Sequence, residues 1–232
     1  MAKLAGLLVA LLLAGASPSL AQDRPVLVEL FTSQGCSSCP PADAFLHKLA
    51  ARDDVVALAL HVDYWDYIGW KDSFASEAYT ARQRAYAREA GRRMVYTPQM
   101  IIMGADDVVG NRPKDVAELI ARHKAAPRPV TLEARRTGGA LRIRAEASRA
   151  LPGRATVQVF RYRPESTVAI TRGENAGRTL DYANVVTSMA VVGEWDMRAP
   201  LALDVPMAGT EPAVVLIQQD RHGPVQAVAQ VD

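Results

Sequence analysis

The chain has only two cysteines in 232 residues. That excludes a scaffold held by many disulfides and a zinc site built from four cysteines. An excess of one charge is also missing: 27 lysines and arginines face 25 acidic side chains, a formal net charge of +2. A balance that close gives no reason to expect nucleic acid or an anionic membrane as the main partner. No apolar run reaches the ~20 residues that a membrane-spanning helix needs. The run from Leu4 to Ala16 falls well short. A P-loop, a dinucleotide fingerprint, a paired-histidine zinc helix and a nucleophile elbow are all absent, and no cofactor is expected. There is no internal repeat and no low-complexity tract. What is there is 49% hydrophobic and 22% charged, which suits a globular chain and excludes wholesale disorder.

The first residues read as an address. Lys3 supplies a positive charge, Leu4 to Ala16 an apolar stretch, and Ser19 and Ala21 the small residues of a cleavage site. Residues 1–21 are therefore expected to be a signal peptide, cut after Ala21. No cysteine stands at that site, so a lipid anchor is excluded and no membrane anchor should survive cleavage. The destination is the periplasm or the outside, where a close cysteine pair tends to rest as a disulfide.

The rest splits in two. Residues 22–125 alternate between strand and helix patterns. Val26 to Phe31 and Val55 to Val62 are apolar runs of strand length, suited to a buried sheet. Pro40 to Ala51, Ser73 to Ala90 and Pro113 to Lys124 read as helices, with a short hairpin between the last two. The order β-α-β-α-β-β-α predicts a mixed sheet with helices on both faces. Residues 126–129 form a proline-stiffened linker. From 130 to 232 the pattern turns to short alternating strands, such as Leu141, Ile143 and Ala145, with no strong helix. That region is expected to be a small all-β, sandwich-like domain.

The chemistry concentrates at Cys36 and Cys39, between a buried strand and a helix. A spacing of three lets the pair close a small disulfide ring. Free N–H groups at the helix start should favour a thiolate at Cys36. That thiolate attacks a disulfide and Cys39 resolves the product. A purely stapling role is the bland alternative, but so short a loop constrains the unfolded chain little.

Strand, Cys-x-x-Cys and helix, followed later by Thr97-Pro98 and Gln99 to Ile102, resemble the thioredoxin-like fold. The resemblance implies a cis proline at Pro98 that faces the cysteines, with Thr97 and Pro98 presenting backbone to substrate. The stretch Glu29 to Asp43, with His61 to Asp66 and Arg172 to Arg178, is similar to the domain-of-unknown-function 1223 family of predicted secreted bacterial proteins. That family implies no settled substrate. Ser37-Ser38 replaces the Gly-Pro of thioredoxin itself. Pro40-Pro41 follows Cys39 and threatens to delay the helix. Glu29 lies near the place where thioredoxin buries an acid, which makes it a candidate proton shuttle; the plainer alternative is a structural pair with a basic or hydroxyl group.

His61, Asp63 and Trp65 follow a buried strand and are candidates to line the site. His61 with Cys36 and Cys39 would also supply three ligands for copper or another soft metal. Three functions remain open: a thiol-disulfide oxidoreductase, a soft-metal carrier, and a binding module with an inert disulfide. The first expects as partners the thiols or disulfides of proteins or peptides, and a further redox partner. The charged, glycine-bearing loop Arg172 to Arg178 is expected to approach the first region.

Overall fold

A computed structural model describes residues 24–231. The expected signal peptide, residues 1–21, lies outside the described residues. Strand β1 (Val26–Thr32) is buried along its whole length. It pairs in parallel with β2 (Val55–His61) and antiparallel with β3 (Gln99–Ile102), which pairs with β4 (Asp106–Val109). Helices α1 (Pro40–Ala50), α2 (Glu77–Glu89) and α3 (Pro113–Ala125) complete the expected element order. Side chains alternate along a strand, so β1 serves two layers. Thr32 meets Asp43 of α1, whereas Glu29 and Phe31 meet Arg82 and Tyr86 of α2. The two helices therefore cover opposite faces.

The second region departs from expectation. Strands β5 (Val130–Thr137), β6 (Ala140–Ala147) and β9 (Leu201–Pro206) do form a separate three-stranded sheet. Strands β7 (Ala155–Ala169), β8 (Thr179–Trp195), β10 (Ala213–Gln219) and β11 (Val225–Val231) instead join the first region. The result is one eight-stranded sheet in the order β11-β10-β7-β8-β2-β1-β3-β4. The joint is a parallel contact of β2 with β8, where Ala59 faces Val185 and the Asn184 amide donates to the Ala57 carbonyl at 2.8 Å.

The reason lies in β10. Its residues from Ala213 to Gln218 are all buried. Ala213, Val215 and Ile217 pack towards the small sheet with Leu141, Ile143 and Val157. Val214 and Leu216 face the other way, into one core with Leu27, Phe31 and Phe160. A free-standing sandwich buries one face of each sheet. A strand apolar on both faces needs a third layer, and α2 supplies it.

Arg82 of α2 joins the layers. Its guanidinium bonds Glu29 on β1, Gln158 on β7 and Gln218 on β10. Those strands are not all neighbours, so the sheet curls around α2. The Val225 N–H closes the curl by donating to the Met103 carbonyl at 2.7 Å. At this approach Gly104 sits at φ +65°, and a Cβ there would lie 2.7 Å from the Gly223 oxygen. Glycine alone fits both demands.

Candidate functional site

Cys36 and Cys39 form a disulfide at the turn from β1 into α1, with their Cα atoms 5.4 Å apart. The turn is held by Cys36 N–H to Ser33 O at 3.1 Å and Cys39 N–H to Cys36 O at 3.2 Å. Cys39 is fully buried and Cys36 is 2% exposed. The Thr97–Pro98 bond is cis, as the resemblance implies. The Thr97 hydroxyl donates to Cys36 Sγ at 3.2 Å, and the Ser38 hydroxyl lies 3.3 Å from the same sulfur. Trp65 Nε1 donates to Thr97 Oγ1 at 2.8 Å, and the exposed ring of Tyr67 stacks on Trp65. The structure thus brings Cys36, Cys39, Thr97 and Trp65 together.

The helix start differs from expectation. Cys39 is the N-cap of α1, and Pro40 and Pro41 fill the first two helical positions. Proline has no N–H, so those two donors do not exist. The next two N–H groups, of Ala42 and Asp43, both go to the Cys39 carbonyl. What meets the Cys36 sulfur is the pair of hydroxyls on Thr97 and Ser38.

Three other candidate residues have these partners. Glu29 is paired with a basic and a hydroxyl group, as the plainer alternative has it. Its carboxylate accepts from Arg82 Nε at 2.7 Å, Arg82 Nη2 at 3.2 Å and the Tyr86 hydroxyl at 2.6 Å, on the α2 face of the sheet. Second, His61 pairs with Asp72. Its Nδ1 lies 2.7 Å from Asp72 Oδ2, and its ring packs edge-on against Phe74 and Tyr182. Among the described residues no three metal-binding side chains converge. Third, Asp63 is engaged by Thr80 of α2, whose hydroxyl donates to it at 2.6 Å. Asp72 in turn accepts from the Gln34 N–H at 2.8 Å and so braces the loop before Cys36. Burial pushes the Asp72 carboxyl up, but His61 and the N–H groups of Gln34 and Phe74 outweigh that and hold it below the ordinary range.

The sequence reading assigns Asp43 no role, yet it is the titratable group set closest in the chain behind the pair. It lies one turn along α1 from Cys39, is 5% exposed, and accepts from Thr32 Oγ1 at 2.7 Å. Its other oxygen finds no hydrogen-bond partner among the described residues. Burial first, with the Asp72 charge adding to it, pushes its carboxyl up to about 7 against the opposing pull of His61, Thr32 and His47. An open cleft of about 380 Å³ between α1 and the start of β8, lined by Asp43, His47 and Arg178, leads from it to solvent. The available signal was spacing: an acid four residues after Cys39 shares its helix face.

The loop from Arg172 to Arg178 does reach the first region, but through a neutral residue rather than charge pairs. Asn175 is buried, and its Nδ2 donates to Gln34 O at 2.9 Å and to Cys36 O at 3.0 Å. Glu174 accepts from the Ser37 N–H at 3.3 Å. Gly173, at φ +76°, passes against Trp70 and leaves 3.1 Å between the position of a Cβ and the Trp70 Cβ.

No curated protein matches the chain. A crystal structure of an Agrobacterium tumefaciens protein from structural genomics is similar at 34% identity, over 90% of this chain and 95% of that one, with a TM-score of 0.78. HBP35 of Porphyromonas gingivalis shares the fold at 10% identity, over 89% of this chain and 74% of that one, with a TM-score of 0.60. The description "Protein of unknown function (DUF1223)" names a family whose model matches residues 27–218, and the chain belongs to that family.

Proposed function

We propose that this protein is a thioredoxin-like thiol-disulfide oxidoreductase of the periplasm or the extracellular space. The observation that carries the reading is the Cys36–Cys39 disulfide at a strand–helix turn, with the Cys36 sulfur met by the hydroxyl of Thr97. A hydroxyl donor stabilises a sulfur anion, so reduced Cys36 is the nucleophile. Its thiolate attacks a disulfide in a protein or peptide. A Cys36–substrate bond forms and one substrate sulfur leaves as a thiolate, which takes a proton. Cys39 then gives its proton to the Asp43 carboxylate and attacks the Cys36 sulfur. The Cys36–Cys39 bond forms and the second substrate thiolate departs. Two electrons have passed from the pair to the substrate. The same steps run backwards when the partner is the weaker oxidant. Titration near neutrality suits Asp43 to give and take a proton in either direction.

The test is mixed-disulfide trapping. Reduced Cys39→Ser protein should hold a disulfide peptide covalently through Cys36, whereas Cys36→Ser should hold none. Limited alkylation of the reduced wild-type protein should label Cys36 first. Labelling of Cys39 first would reverse the roles. Failure of the reduced protein to exchange with any peptide disulfide over hours would sink the reading. Location is tested by sequencing the exported protein, whose first residue should be Gln22.

A further inference from the structure

We propose that Asn175 is a positioning residue for the cysteine pair, fixing the Cys36 backbone in the geometry that closes the disulfide. The proposal rests on the oxidoreductase reading. Both hydrogens of its amide nitrogen are engaged, on the carbonyls of Gln34 and Cys36 that flank Gly35. The amide cannot swing away, because Arg178 Nη1 donates to its oxygen at 3.0 Å. The Cys36 carbonyl also receives the Cys39 N–H, so one oxygen is held from both the helix and the β7–β8 loop. The loop is itself tied at its base: Ile170 N–H bonds Arg178 O and Gly177 N–H bonds Ile170 O, both at 2.8 Å. The clamp thus transmits the position of β7 and β8 to Cys36.

Linkage gives the sign. A closed disulfide orders the segment from Cys36 to Cys39, and an ordered segment binds the clamp with less loss of entropy than an open one. By reciprocity the clamp favours the closed pair. Removing it lowers the effective concentration of one thiol at the other. Equilibration of the full mature protein with a dithiothreitol redox series, read by mass after alkylation, measures this. Asn175→Ala should lower the equilibrium constant for disulfide formation roughly tenfold, a shift of about 30 mV to a less negative potential. Arg178→Ala, at an exposed position that steadies the amide from the mouth of the Asp43 cleft, should give a smaller shift in the same direction. Arg172→Ala, in the same loop, should give none.

A merely structural role would lower the melting temperature of the oxidised and reduced protein alike and leave the potential unchanged. That result in Asn175→Ala overturns the proposal. If Asn175→Ala does not fold, Arg178→Ala decides by the same criterion. A reversible wild-type couple with unmoved variants refutes the clamp alone. A wild-type disulfide that no dithiol opens in the folded protein removes the oxidoreductase reading and the clamp together.

Discussion

Asp43 keeps its proton to about pH 7 because its carboxyl is buried, with one oxygen accepting only from the Thr32 hydroxyl of β1 and the other unmatched among the described residues. In the unfolded chain it would ionise near pH 3.9. Between those values the folded state binds the extra proton, so this group makes stability fall as pH rises from about 4 to about 7. Above pH 7 the full penalty is present, roughly 4 kcal/mol. Asp43→Asn removes the titration. The difference between its stability and the wild type's, measured by urea unfolding across pH, should favour the variant above pH 7 and vanish near pH 4. A flat difference would show that Asp43 does not hold a proton in the folded state. The same variant should slow resolution of the Cys36 mixed disulfide near and above pH 7, where Asp43 is ionised and can take the Cys39 proton. Glu29 offers the contrast. It is buried too, but Arg82 and Tyr86 surround it and bond its carboxylate.

At the scale of elements, α1 shows how a start sequence limits chemistry. Pro40 and Pro41 suit the first turn because no N–H is needed there. They also withhold two donors from the neighbourhood of Cys36. Pro41→Ala restores one N–H at the second helical position. Reduced Cys36 should then alkylate roughly two- to fivefold faster at neutral pH, at a cost of about 0.4–1 kcal/mol in stability from the freer unfolded chain. An unchanged rate would mean that the Thr97 and Ser38 hydroxyls alone set the reactivity. Elements of this kind are legible in sequence. The apolar run of β1 and the face of α1 are local patterns, and both elements stand where their patterns place them, whereas α2 starts at Glu77, four residues later than its pattern from Ser73. The cysteine pair is legible for the same reason. Asn175 is not, because its partners are backbone carbonyls far away in the chain and no local pattern announces an amide that will bond them. The pairing of Glu29 with Arg82 is hidden likewise, since Arg82 reads as one more charge on a charged helix.

Across the whole molecule, α2 makes two sequence regions into one core. The sequence offers Pro127 and Pro129 as a boundary, and the chain does pass there from α3 to β5. The boundary fails as a division of the sheet because β7 and β10 carry apolar residues on both faces and must be covered twice. Arg82 then ties β1, β7 and β10 through charge and amides with little access to water. Truncating one partner of a buried ion pair leaves the other charge uncompensated, which costs about 3–5 kcal/mol. Arg82→Met should therefore lower the melting temperature by roughly 10 °C in a chain of this size. Both regions should feel it equally. Trp195 packs in the core under the small sheet, whereas Trp65 lies beside the disulfide. With Trp65 and Trp70 replaced by Phe, Trp195 fluorescence reports the second region; with Trp70 and Trp195 replaced, Trp65 reports the first. If α2 is the common layer, the two probes give one midpoint in denaturant, and Arg82→Met moves both by the same amount. Midpoints that separate, or a shift confined to Trp65, would mean that the strands from 130 onward fold on their own and that the continuous sheet is only a contact between two stable parts.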